Sequence, residues 1–114
     1  MVVPEIDALW KDAEGVYCIA QLYKNANNGE LVIGYHDLVS GEKWALDIHS
    51  WNEQNYIPIE VNMEFVDERG TSCKIAYVNS HPLQGSVGLV VIKNEKRVKI
   101  LYSDFMYYNR KEDD

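Results

Sequence analysis

The sequence predicts a mainly β fold: an antiparallel meander of about six strands forming a small barrel or curled sheet, SH3- or OB-like in size, with one N-terminal helix. Three observations carry that reading. Apolar residues alternate at period two from Val16 onward, turn residues such as Asn28-Gly29, Gly41 and Gly70 separate the alternating runs, and only "PEIDALWKDAEG" shows helical spacing.

In that first segment Pro4 suits the first helical position, Glu5 and Asp7 suit the positive end of the helix dipole, and Gly15 suits the stop. Ile6, Leu9, Trp10 and Ala13 would share one face, so a helix is expected over residues 4–14. Strand hairpins then fill residues 16–103. "VYCIAQLY" reads as a strand mixed on both faces, "NANNGE" as a turn and "LVIGYHDL" as its partner strand. "KWALDIH" alternates as a half-buried strand, and "SWNEQNYIP" interrupts as a loop or a turn of helix. "IEVNMEF" alternates without error, with Ile59, Val61, Met63 and Phe65 on one face. After "DERG" come "TSCKIAYV", the loop "NSHPLQGS", and a last hairpin "VGLVVIK"-"NE"-"RVKILYS". An aromatic cluster, "DFMYYNRKEDD", ends in a tail expected to fray over 109–114. No internal repeat is visible.

The chain has 114 residues, 46% hydrophobic and 11% aromatic, which fits one folded domain over 1–114. The longest apolar run, "VGLVVI", is far short of the roughly 20 residues a spanning helix needs, so a cytoplasmic protein without membrane contact is expected. Cys18 and Cys73 sit singly in alternating runs, which is neither a metal spacing nor a disulfide framework; two reduced thiols are expected. With 18 acidic against 11 basic residues the formal charge is −7, which argues against direct nucleic-acid binding and for a basic protein partner.

"YHDLVSGEKWALDIHSW" gathers His36, Asp37, Asp47 and His49, and the hairpin register decides whether they meet. A three-residue loop, Val39 to Gly41, pairs Asp37 with Lys43, His36 with Trp44, Tyr35 with Ala45, Gly34 with Leu46 and Val32 with Ile48, and separates His36 from Asp47 and His49. A two-residue loop would bring His36 near Asp47 but leave His49 roughly 7 Å further along. No metal site and no cofactor are therefore expected. The same rule in the "DERG" hairpin pairs Met63 with Ile75, Phe65 with Cys73, Val61 with Tyr77 and Glu64 with Lys74. His81 is read as a loop histidine. The chain has no phosphate loop, nucleophile elbow, "HExxH" or "CxxC", so no catalytic residue is assigned and no enzyme expected.

The functional expectation is a small binding or inhibitor protein with the logic of immunity proteins, nuclease inhibitors and nucleic-acid mimics. It would dock a basic protein through an acidic sheet face of Glu60, Glu64, Asp67 and Glu68, extended by Asp37 and Asp47, with Trp51 and Tyr56 as exposed aromatics. The alternative is a small-molecule or nucleotide-binding domain. It would use an aromatic cavity or dimer cleft, with Lys93, Lys96, Arg97 and Lys99 of the basic hairpin beside Tyr107 and Tyr108. Association of that hairpin with the acidic face of a second copy, giving a homo-oligomer, is a further expectation.

Overall fold

The computed structural model describes residues 2–82 and 87–111, so part of the "NSHPLQGS" loop and the end of the tail lie outside the described residues. The chain runs β1 (Leu9–Lys11), β2 (Val16–Lys24), β3 (Leu31–Asp37), β4 (Lys43–Asp47), α1 (Ile48–Glu53) and β5 (Ile57–Ile59). It continues β6 (Glu64–Val66), β7 (Ser72–Val78), β8 (Leu89–Lys93), β9 (Lys96–Ile100), α2 (Tyr102–Phe105) and β10 (Asn109–Arg110). The fold is mainly β, as expected. The strands form two open antiparallel sheets, ordered β4-β3-β2-β1-β5 and β9-β8-β7-β6-β10, so the closed barrel is corrected to two five-stranded sheets.

The two halves have one topology: a four-strand meander, a short helix, then a strand returning to pair with the first. The match extends to detail. The second strand of each half carries a bulge after an isoleucine, at Ala20 between Ile19 and Gln21 and at Ala76 between Ile75 and Tyr77. Trp10 meets Trp51 of α1 edge-on at 5.7 Å, as Phe65 meets Phe105 of α2 at 5.0 Å. Trp51 then stacks tilted on Tyr56 at 4.6 Å, as Phe105 does on Tyr108 at 5.1 Å. The repeat absent from the letters is present in the topology, because what recurs is apolar parity and ring packing, which different residues satisfy.

The halves pack in sequence, like stacked cups. Tyr17, Ile19, Ile33 and Tyr35 on one face of the first sheet are covered by Ile48 and Trp51 of α1. Its other face presents Leu9, Val16, Cys18 and Ile59, which share a core with Phe65, Cys73, Ile75, Leu89, Val91, Ile100 and the α2 residues Tyr102 and Phe105. Each half thus has a front, covered by its own helix, and a back. The back of the first sheet rests on the front of the second at β1, the start of β2 and β5, while Ala20, Gln21, Tyr23, Lys43 and Ala45 are exposed.

Residues 4–14 do not form the expected helix. Leu9–Lys11 is a strand inserted between β2 and β5, with Trp10 opposite both Tyr17 and Pro58. Asp7 turns the chain at φ 69°, and the Asp12 carboxylate accepts the N–H groups of Glu14 and Gly15 to build the next hairpin turn. Pairing on both sides outweighs a weak helical preference, and the i, i+4 spacing of Leu9 and Ala13 is incidental.

"IEVNMEF" is likewise broken. The chain steps from one sheet to the other over residues 60–63, with Asn62 at φ 76° and Val61 exposed, so Val61 does not pair with Tyr77. The "DERG" hairpin keeps its expected register, Glu64 opposite Lys74 and Phe65 opposite Cys73, around Gly70 at φ 84°. In the other hairpin the register differs by one. His36 faces Lys43, Tyr35 faces Trp44 and Val32 faces Asp47. Asp37 causes the slip, because its carboxylate accepts the N–H groups of Val39 and Ser40 and its carbonyl accepts that of Gly41, which makes a four-residue loop. Ile48 and His49 leave the strand for α1, and Asn109–Arg110 pairs with β6 instead of fraying.

Lys11 is 2% exposed at the back of the first sheet, in the shared core. Its ammonium donates to the Tyr108 carbonyl at 2.7 Å and lies 6.0 Å from the Phe105 ring centre. Burial pulls its pKa below the ordinary lysine value, against a smaller opposing pull from Asp12. The unfolded chain therefore binds this proton more tightly, and stability from Lys11 rises as pH climbs from the depressed folded value toward 10.5. Denaturant titrations of Lys11→Met and the parent should show a difference in stability that moves in the parent's favour over that window, and a constant difference would refute this account.

Candidate functional site

The front of the first sheet holds the richest side-chain constellation. Tyr17 and Tyr35, on neighbouring strands, meet edge-on at 5.5 Å, and Tyr56, delivered by the chain leaving α1, sits 5.0 Å from Tyr17 and 5.9 Å from Tyr35. The Tyr35 and Tyr56 hydroxyls hydrogen-bond at 3.1 Å. Trp51 lies beneath both rings, which is why α1 must dock where it does. Asp47 fixes that docking by capping α1 through the N–H of Ser50.

The ring cluster opens into a hollow of about 270 Å³ lined by Asp12, Glu14, Tyr17, Tyr35, Trp44, Leu46, Gln54 and Tyr56. The Trp44 ring is 50% exposed at its wall. The Tyr17 hydroxyl donates to Asp12 at 2.9 Å, and Asp37 packs close to the same hydroxyl across Gly15. Among the described residues no cation forms an ion pair with Asp12, Glu14 or Asp37. Burial first, then the bond to Asp12, pushes the Tyr17 phenol above its ordinary value. Burial raises Tyr35 too, and burial with the bond to Tyr35 raises Tyr56.

On the other side of Tyr56 lies a larger cleft of about 740 Å³. Its apolar wall includes Val3, Pro4, Leu9, Trp10, Pro58 and Ile59, and its carboxylates are Glu5, Asp7 and Glu60. The Asn52 side-chain amide holds Val2 by both backbone groups and so fixes one wall. Ser80 and His81 tie down Asp7, with His81 Nε2 2.9 Å from its carboxylate. Among the described residues the buried Trp10 indole N–H, at the wall of this cleft, meets no acceptor. No Lys or Arg lines either hollow among the described residues.

The residues singled out in the sequence are dispersed. Glu60 and Tyr56 line the cleft, but Trp51 is 2% exposed and belongs to the core. Asp37 and Asp47 close a turn and cap a helix. Asp67 caps the "DERG" turn through the N–H groups of Arg69 and Thr71 and binds Lys93 at 2.8 Å, while Glu68 is exposed in that turn. Glu64 faces Lys74 and lies 3.8 Å from Lys111. These carboxylates do not form one acidic sheet face, because aspartates beside turns are used by the turns themselves. Asp12, Glu14, Tyr17, Tyr35 and Trp44 were not singled out. The signal available for them was the hairpin "KDAEGVY", obscured by reading it as a helix.

Of the basic hairpin, Lys93 and Lys99 line a third hollow of about 550 Å³ with Asp67, Glu68, Asp104 and Tyr108. Lys93 also donates to the Tyr108 hydroxyl at 3.1 Å. Burial pulls Lys93 down, but its bonds to Asp67 and Tyr108 outweigh that and leave it above the ordinary value, while the Lys93 bond holds Asp67 below its own. Lys96, Arg97 and Tyr107 are exposed, and Tyr108 is buried. His36, Asp47 and His49 do not converge, and no group of three metal-binding side chains exists among the described residues. Burial pushes the Cys18 thiol up to about 11 and raises Cys73; both are free and buried, on strands of different sheets. No helix among the described residues is long and apolar enough to cross a membrane.

A Cβ on Gly15 would stand 2.7 Å from Asp37 Oδ2 and 3.1 Å from the Tyr17 hydroxyl. Gly15→Ala should cost roughly 1–3 kcal/mol of stability, read by denaturant midpoint, whereas an unchanged midpoint would mean that this junction is loosely packed. Because the folded phenols of Tyr17, Tyr35 and Tyr56 sit above 10.0, the stability they supply is complete below pH 10 and declines above it. Tyr17→Phe should make that decline shallower in the same titration. Comparisons with protein-family models, curated proteins and solved structures give no match for this chain.

Proposed function

We propose that this is a small non-enzymatic binding protein that receives a basic surface of a protein partner on the front and the β5 edge of its first sheet. The observation that carries the reading is the pair of hollows sharing Tyr56, lined by Asp12 and Glu14 on one side and Glu5, Asp7 and Glu60 on the other, with no lysine or arginine lining either among the described residues. Rings and apolar walls supply contact area, and carboxylates at the rims supply orientation and steering. The formal charge of −7 adds a long-range attraction for a basic partner that weakens as salt rises. The nucleotide alternative has less support, because the basic hairpin belongs to the second sheet and lines neither aromatic hollow.

Short peptides combining arginine or lysine with apolar residues provide the test. Glu14→Gln with Glu60→Gln should weaken their binding roughly fivefold to tenfold, while Glu30→Gln with Glu95→Gln, an equal change in net charge away from both hollows, should alter it less than about twofold. Equal losses in the two pairs would reduce the effect to overall charge and refute the site.

A further inference from the structure

The repeated topology gives each half a front and a back, and inside the molecule the back of the first half already rests on the front of the second. Two surfaces lie outside that contact: the front of the first sheet beyond α1, and the back of the second sheet. The front carries the smaller acidic, ring-walled hollow, and the larger acidic cleft opens at the β5 edge, where Leu9 and Ile59 of the back also line it. The register of the second sheet puts Lys74, Ile92 and Arg97 in one row across its back, with Tyr77, Val90 and Lys99 in the next. Tyr77 and Ile92 are 57% and 39% exposed, and Lys74, Arg97 and Lys99 are exposed as well. Among these outward residues only Glu64, opposite Lys74, adds a carboxylate. Among the described residues an apolar, basic face is thus exposed on the back of the second sheet, while the helix-covered front of the first opens only at its acidic, ring-walled hollow.

We infer that the basic partner of the front includes a second copy of this chain, seated by the back of its second sheet. This rests on the reading of the front as a receptor for a basic surface and adds the identity of the occupant. Arg97 and Lys99 would approach the Asp12 and Glu14 rim, and Tyr77 and Ile92 would meet Trp44 and Tyr56, so both charge and apolar area are complementary. Such a contact joins unlike surfaces. It leaves one front and one back free after every addition and produces open chains instead of a closed dimer.

Sedimentation at increasing protein concentration tests this with two variants. Trp44→Lys with Glu14→Lys disables the front only, and Tyr77→Glu with Ile92→Glu disables the back only; all four positions are exposed, and melting curves verify that each variant folds. The parent's average mass should rise beyond two copies. Each variant alone should stay a monomer, and their mixture should form a one-to-one dimer and stop, because one free front meets one free back. A parent that stays monomeric, a mass that halts at two copies, or a mixture that fails to pair would overturn the proposal. If the parent is monomeric yet basic peptides still bind at the hollows, only the self-association falls; if peptide binding also fails, the receptor reading falls with it.

Discussion

The first sheet has two apolar faces, and a sheet with two apolar faces must be covered twice. Val16 and Cys18 point one way from β2 and Tyr17 and Ile19 the other, all of them buried. One short helix and its trailing tyrosine cover the front, but nothing in the first half can cover the back. The second half supplies that cover, so the two sheets depend on one core even though each has a complete topology of its own. Lys11 marks how close this junction is: its ammonium crosses from the first sheet to the backbone of the second half, where it meets a carbonyl and a ring instead of a carboxylate.

What was legible in the sequence was local and periodic. The "DERG" hairpin, the tight "NE" turn and the strand character of most of the chain follow from glycine or asparagine at positive φ and from alternation, and the register of Phe65 and Cys73 was correct. The misreadings have one physical origin: a side chain or neighbouring strand intervened where spacing alone was used. Asp37 lengthens a loop by one residue, so His36 and Trp44, expected on one face, lie on opposite faces, and His36 shares its face with Lys43 and, four residues along, Asp47. Spacing alone allows Trp10 a place on a helix, whereas strands on both sides claim it. The stack of halves was not legible at all, since equivalent positions hold Trp10 and Phe65, or Trp51 and Phe105, and share size and apolarity without identity.

The acidic composition divides into two groups with different duties. Asp37, Asp47 and Asp67 spend their oxygens on backbone N–H groups and are part of the architecture. Glu5, Glu14 and Glu60 stand at hollows walled by aromatic and apolar side chains, and Asp12 does both, accepting the Glu14 and Gly15 N–H groups at the rim of the smaller hollow. The separation explains why counting carboxylates along strands does not gather them on one face: turn geometry, not strand parity, decides where these aspartates point. A carboxylate next to a turn is recruited by the turn, Asp12 included.

The bulges at Ala20 and Ala76 carry a last implication. Each inserts one residue in mid-strand and so resets which side chains look inward beyond it: Leu22 shares the face of Ile19, three positions away instead of two. The interior of either half is therefore written in two reading frames joined at an alanine. Evolutionary drift by a one-residue insertion or deletion would be absorbed at those two points and scrambled everywhere else along the same strands, which makes the bulges the places where such a chain can change length and keep its inside and outside.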